Sequence, residues 1–513
     1  MSTDAIPSHL PRGRACTACR MRKMKCDGNA PTCNQCVRFN RAHECLFVPG
    51  PAPSNTRMLE QEVERLQARI QRLETRDPSS AGQSSQSGFP ANWFEHSEPP
   101  RNVARTLVEY FLPHASKFGF FLDTQRFMAF WGSASANVPR PPTVLRQAVY
   151  LWGIHLSQRP DVTAYENMYL DRAVRSVVAA LAVAQQQPAT ALYALQAEVL
   201  LAYYFLTCNR LVEGQHHTSG AVSLAFVLSL HKIEPGRPMG GVLPPPADGV
   251  EERERVQAWW QTFVLEKCWT SAMKTPSVID ESKGSASVID TPWAPVVDTH
   301  GRAAYSQAGR TVQRFLANVT SDNTSTALTF QAKAAALYER AAYIASLHTR
   351  NPAEVAGMVS ALDAAIETFR RGLPSVGQSG ALTPGAAYEF ALANSLVNGA
   401  TIMLYRCAAA QSSTARSKIV CAANMIARGL QAAGPQALKS PNPILAITSA
   451  SAGEILASAL RSLRRSGTPN PQGEETLVFG LNELQKAMSI GAQDSLLFAN
   501  QLHKLTEAQA TLR

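Results

Sequence analysis

The sequence predicts three parts in order: a small N-terminal module stabilised by zinc, a short parallel coiled coil, and a large all-α domain. Three observations lead there. Six of the ten cysteines fall between Cys16 and Cys45, and a heptad of apolar residues runs through residues 56–76. Almost everything after residue 102 is rich in Ala, Leu, Glu, Gln and Arg with apolar residues three or four apart, the period of an amphipathic helix.

At 513 residues the chain has length for about three units at the usual domain size. A hydrophobic fraction of 45% excludes disorder throughout, although the 17% charged fraction lies below the ~25% of most soluble chains. Apolar runs such as Gly220 to Leu230 fall short of the ~18 residues that would cross a bilayer, so no membrane partner is expected. Asp4, Pro7 and His9 stand where a secretory leader needs an apolar core, which points to an intracellular protein. The net charge of +10 is uneven: residues 1–50 hold 8 Lys/Arg against 3 Asp/Glu, a net +5. Such a local basic balance points to a nucleic-acid partner more than a uniform one would.

After a polar lead, residues 14–49 form the cysteine-rich zone, spaced Cys16-x2-Cys19-x6-Cys26-x6-Cys33-x2-Cys36-x8-Cys45. Both halves read C-x2-C followed by a third cysteine. In a reducing compartment such a cluster binds metal more readily than it forms disulfides. A structural zinc ion takes four protein ligands, so six thiolates fill one site with two to spare, or two sites if two sulfurs are shared. An iron–sulfur site is a further alternative, with different common spacings.

The basic run Arg20-Met21-Arg22-Lys23-Met24-Lys25 leads into Cys26-Asp27, and Pro31 stands two residues before Cys33. With the cysteines, these residues resemble the fungal binuclear zinc-cluster transcription factors, in which six cysteines hold two zinc ions. The resemblance implies two Zn²⁺ per chain on Cys16, Cys19, Cys26, Cys33, Cys36 and Cys45, with Cys16 and Cys33 bridging and Pro31 shaping the loop between halves. It also implies a nuclear protein that binds double-stranded DNA sequence-specifically and regulates transcription by RNA polymerase II.

Two Zn²⁺ and six thiolates sum to −2, so the attraction to DNA must come from side chains. Four of the six residues between Cys19 and Cys26 are basic, against Arg38 and Arg41 among the eight between Cys36 and Cys45. The first half is therefore the expected reading head, with a helix from Thr17 to about Lys25 in the major groove. By the resemblance, Arg22 and Lys23 sit at positions that contact the bases of a CGG-type triplet. Arg20, Lys25, Arg38 and Arg41 suit phosphate contacts, which give affinity without sequence information. Met21 and Met24 are expected to pack between the halves. The basic run also suits a nuclear import signal.

Residues 50–55 are a Pro-rich spacer. Beyond it, Leu59, Val63, Leu66, Ile70 and Leu73 recur at intervals of 4, 3, 4 and 3. β-Branched residues at a and Leu at d favour a parallel two-stranded coil, so residues 56–76 predict a homodimer. Three heptads are marginal alone, and a single amphipathic helix packed on its own chain is the alternative. Residues 77–101, rich in Ser, Gln, Gly and Pro, read as a disordered linker.

Residues 102–513 form the large helical domain, with helices expected at 163–187, 188–210, 250–274, 328–350, 383–410 and 443–465. The stretch Glu251 to Arg255, then Trp259-Trp260 and Phe263 to Lys267, resembles the fungal transcription-factor regulatory domain, as does Ala221 to His231 with its Leu-His ending. That resemblance implies control of activity, with transcriptional co-regulators and a small-molecule effector as further partners. Trp259, Trp260 and Phe263 equally suit an aromatic core. His216 and His217 lie near Glu213 but point to different helix faces, so surface or packing roles are expected. Cys208, Cys268, Cys407 and Cys421 lack ligand spacing. No H-E-x-x-H, phosphate-binding or dinucleotide-binding motif is present, and an enzyme is not expected. The rival reading is a metabolite-binding or interaction protein whose zinc cluster is only structural.

Overall fold

The computed structural model describes residues 15–47, 89–90, 92–132, 140–184, 186–237, 241–298, 301–318, 326–348, 352–374, 384–466 and 469–510. They fall into two units, Met1–Pro90 and Ala91–Arg513. The expected coiled-coil residues Leu59, Val63, Leu66, Ile70 and Leu73, the spacer and positions 77–88 of the linker lie outside the described residues.

The first unit contains two five-residue helices, Thr17–Met21 and Asn34–Arg38, and a 3₁₀ turn, Ala42–Glu44. Helices of one turn have no stability of their own, so what they pack on must hold them. Their core is the six cysteines, with Ala18 buried and Ala15, Met24 and Phe47 packed against it. The first helix stops at Met21, short of the expected Lys25, because Lys23 takes a left-handed conformation with φ +53°. Met21 is 81% exposed, which corrects its expected place between the halves; only Met24 packs inward.

Among the described residues of the second unit, regular structure is helical apart from a two-residue antiparallel pairing of Val296–Val297 with Ala303–Ala304. Helices run Glu166–Val183, Ala189–Thr207, Gly249–Met273, Ala327–His348, Pro384–Arg406 and Ile444–Arg465, within a few residues of the stretches expected from periodicity. Ala189–Thr207 is apolar on every side and buried along most of its length, as the central helix of a large body must be. It and Ile444–Arg465 are long and apolar enough to cross a membrane, contrary to the sequence expectation. Yet 83% and 67% of their apolar windows are buried inside the body. Neighbouring helices cover those windows.

Close approach needs small residues at the crossings. A side chain at Gly153, on Thr143–Leu156, would strike the Leu107 carbonyl at 2.2 Å, so this glycine lets that helix pack on Arg101–Phe111. The Gly249–Met273 helix begins at Asp248, whose carboxylate accepts from the amides of Val250 and Glu251 at 3.0 and 2.9 Å. Its Trp259, Trp260 and Phe263 are fully buried, and Trp260 stacks on Trp293 with centroids 4.3 Å apart.

Residues 92–100, placed in the linker by composition, pack onto this body. Trp93 stacks on Tyr169, Phe94 stacks on Tyr165 at 3.9 Å, and Glu98 pairs with Arg146 and Arg140. The aromatic pair explains the departure, since two large apolar rings gain more by burial than a Ser- and Pro-rich context suggests.

Candidate metal centre and nucleic-acid interface

The two halves of the N-terminal module repeat one local plan. Cys16 and Cys33 are each the N-cap of a helix and accept a hydrogen bond from the amide three residues on, Cys19 N and Cys36 N, both at 3.4 Å. Each helix closes the same way: Lys23 and Asn40 are left-handed, and the next amide returns to the second cysteine, Met24 N to Cys19 O at 3.0 Å and Arg41 N to Cys36 O at 2.8 Å. The C-x2-C turn thus aims two sulfurs inward in each half. Asp27 caps the second helix, accepting from Asn34 N at 3.1 and 3.2 Å. The Ala30–Pro31 peptide between the halves is cis.

The sulfurs form two quartets, Cys16, Cys19, Cys26, Cys33 and Cys16, Cys33, Cys36, Cys45, each with its ligand atoms within 4.8 Å of one another. Cys16 and Cys33 belong to both. Sγ separations are 3.8 Å for Cys16–Cys33, 3.7 Å for Cys16–Cys36 and 3.7 Å for Cys19–Cys33. With zinc–sulfur bonds of ~2.3 Å, a tetrahedral site has sulfur–sulfur edges of roughly 3.8 Å, so these distances fit zinc. Electrostatics separates the shared pair from the rest. Burial raises the pKa of Cys16 and Cys33, but the Cys19 and Cys36 amides with the neighbouring thiols outweigh it, and both lie below the ordinary value. Burial raises Cys19 and Cys45, and pushes Cys36 up to about 12.

All six basic side chains singled out by sequence are exposed. Lys23, Lys25 and Arg38 make no side-chain hydrogen bond or ion pair within the described protein. Arg20 reaches the Ala15 carbonyl at 3.4 Å. Arg22 is different: its Nη1 stands 2.9 Å from Glu44 Oε2, with both side chains 40% exposed. Thr17 donates from N and Oγ1 to Leu46 O at 3.0 and 3.2 Å, joining the start of the module to its end.

In the large body, the residues singled out by sequence have structural work. Glu266, fully buried, accepts from Ser277 Oγ and Val278 N at 2.8 and 2.7 Å, while Lys267 donates to Ile279 O at 2.6 Å. Neighbouring residues on one helix thus hold the 277–279 loop. His231 closes the Leu-His ending by bonding Ala286 O at 2.9 Å. His216 is exposed, whereas His217 is buried and bonded through Nδ1 to Glu198 at 2.5 Å. Surface or packing roles were expected for both; the only sequence signal for Glu198 was a carboxylate in the middle of an apolar helix.

Residues 14–52 match the family described as fungal Zn(2)-Cys(6) binuclear cluster domain, and residues 109–293 match the fungal specific transcription factor domain. Among curated proteins, the chain is 39% identical over 70 residues to transcription factor FBD3 of Fusarium pseudograminearum, covering 13% of this chain and 9% of that one. It is 40% identical over 53 residues to transcription factor MAR1 of Candida glabrata, covering 9% and 4%. A third similarity, 39% over 64 residues, is to transcription regulator galc of Aspergillus niger, covering 12% and 8%. The chain spans less than a tenth of the length of these relatives.

Proposed function

We propose that this chain, which carries both a fungal Zn(2)-Cys(6) binuclear cluster domain and a fungal specific transcription factor domain, is a zinc-dependent, sequence-specific regulator of RNA polymerase II transcription in the nucleus. The observation that carries the reading is the pair of sulfur quartets sharing Cys16 and Cys33. Cys16, Cys19, Cys26, Cys33, Cys36 and Cys45 would hold two Zn²⁺, whose role is to fix the backbone. Six buried thiols are the module's core, so metal binding and folding are one event.

The work on DNA falls to the exposed basic residues. Lys23, beyond the end of the first helix, reads guanine O6 and N7 of a CGG-type triplet, a contact worth roughly 1–3 kcal/mol. Arg22 assists, with Glu44 beside it offsetting part of its charge. Arg20, Lys25, Arg38 and Arg41 neutralise phosphates, releasing counterions and making affinity salt-dependent. A homodimer through Leu59, Val63, Leu66, Ile70 and Leu73 would present two such heads to paired half-sites. The helical body would control activity through co-regulators.

Selection from randomised duplex DNA by the full-length protein, with and without a zinc chelator, tests this reading. Enrichment of paired CGG-type triplets that disappears with the chelator is expected. Zinc-loaded protein that enriches no triplet at moderate salt would leave a purely structural cluster and overturn it.

A further inference from the structure

Outside the cysteine module, three side chains of different chemistry meet where three helices end or begin. His155 stands near the end of Thr143–Leu156, Glu166 opens Glu166–Val183, and Cys208 closes Ala189–Thr207. One ligand atom from each, a ring nitrogen, a carboxylate oxygen and the sulfur, lie within 4.8 Å of one another. The His155 ring has an oxygen at each nitrogen: Nδ1 is 2.7 Å from Glu166 Oε1, and Nε2 is 3.1 Å from the Asp494 carbonyl. A carbonyl oxygen only accepts, so Nε2 carries the ring proton and Nδ1 presents its lone pair to the carboxylate. Two acceptors 2.7 Å apart need a positive charge between them, either a further proton or a metal ion. A proton uses those two atoms alone. The Cys208 sulfur beside them is a third donor, which only a metal ion engages.

Ligands of a metal ion are held from behind by hydrogen bonds that fix their orientation, and two of these three have such partners. Nε2 of His155 donates to Asp494 O, and Tyr204 Oη donates to Glu166 Oε1 at 2.7 Å. The imidazole is also wedged edge to face against Trp152 and Tyr204, with centroids 5.6 and 5.5 Å away. The His155 and Glu166 side chains are 16% and 21% exposed, so water can reach a fourth position. Arg210, two residues beyond Cys208, is paired with Glu213 and does not compete for Glu166. Imidazole, carboxylate and one thiolate form a mixed set that suits zinc, whereas calcium and magnesium take oxygen ligands. Charge also balances. Zn²⁺ displaces the proton between Nδ1 and Oε1 and the thiol proton of Cys208, two positive charges for two, so the half-buried site stays neutral.

We infer that His155 Nδ1, a Glu166 carboxylate oxygen and Cys208 Sγ form a mononuclear zinc site in the helical body, completed by water. The site shares no residue with the cysteine module and needs no DNA. To take the ion, the nitrogen–oxygen separation opens from 2.7 Å to roughly 3.4 Å, the edge of a tetrahedral zinc site, and two protons leave. Zinc is therefore held less tightly here than in the sulfur quartets. Full-length protein is dialysed to equilibrium against about 10 µM free zinc, and the metal is counted per chain. The parent binds about one ion more than Cys208→Ala or His155→Gln, and that ion leaves on transfer to zinc-free buffer, where the count belongs to the cysteine module. Cys407→Ala, which removes an exposed thiol elsewhere, matches the parent. A cooperative unfolding transition shows that each variant is folded; where one is not, the other decides. Equal zinc in the parent and a folded variant overturns the inference. So does an equal loss in Cys407→Ala, which would mark binding to surface thiols at large.

Discussion

Glu44 Oε2 lies 2.9 Å from Arg22 Nη1, joining the second half of the cysteine module to the basic run of the first. An exposed pair of this kind contributes ~0–1 kcal/mol to folding. Its larger effect is on charge, because it cancels one cation on the surface expected to meet DNA. Glu44→Gln should therefore leave zinc content and fold intact while tightening binding to all DNA sequences, with a salt slope steeper by about one unit. Titrations at two salt concentrations measure both. Identical slopes would mean that Arg22 faces away from DNA.

Lys23 and Arg38 should separate specificity from affinity. Lys23→Gln is expected to flatten triplet preference at a cost of roughly 1–3 kcal/mol on the preferred site and little elsewhere. Arg38→Ala should weaken all sequences alike and reduce the salt slope by about one. Triplet preference in the Lys23 variant equal to the parent's would reassign base reading.

The shared sulfurs predict unequal consequences for single cysteines. Cys16 and Cys33 each belong to both quartets, whereas Cys26 and Cys45 each belong to one. Cys16→Ser should lower zinc at both sites, leaving well under one ion per chain, while Cys26→Ser should retain about one because the other quartet is complete. Zinc released on thiol modification, counted per chain, distinguishes them. Equal stoichiometry in the two variants would argue against shared ligands.

Lys117 provides a pH test of the body. Its Nζ is buried, donates to Ala437 O and Lys439 O at 2.9 and 2.6 Å, and faces the Tyr388 ring at 4.7 Å. Burial pushes its pKa from 10.5 down to about 8. Between those values the unfolded chain holds a proton that the folded chain has released, so stability from this group rises with pH across that window and is lost as pH falls toward 8. Unfolding of the protein and of Lys117→Met, compared at pH 8, 9 and 10, should show the parent gaining on the variant by up to about 1.4 kcal/mol per pH unit. Parallel curves would place the ammonium in a wetter setting.

The cysteine pattern was legible because its chemistry is local: C-x2-C pairs aim sulfurs through one tight turn, and the spacing implies that turn. Helices of the body were legible because each buries one face or all faces against neighbours. What escaped notice depends on contacts distant in sequence. Glu198 meets His217 across 19 positions, and Glu44 meets Arg22 across 22, with no periodicity to announce either. Met21 looked inward by its three-residue spacing from Met24, but the helix ends at Met21 and that spacing no longer describes one face. Trp93 and Phe94 were hidden by the polar composition around them.

The recognisable regulatory segment ends at residue 293, yet nothing in the body ends there. Ser495 Oγ holds Thr207 O at 2.9 Å, Asn442 Nδ2 holds Lys117 O at 3.1 Å, and Leu496–Ala510 packs on Ala189–Thr207. During synthesis, then, the most apolar helix of the chain emerges roughly three hundred residues before its last cover, about 15–60 s at ordinary translation rates. A fragment stopping at 293 would lack the bonds from Ser495 and Asn442 and the cover of Leu496–Ala510.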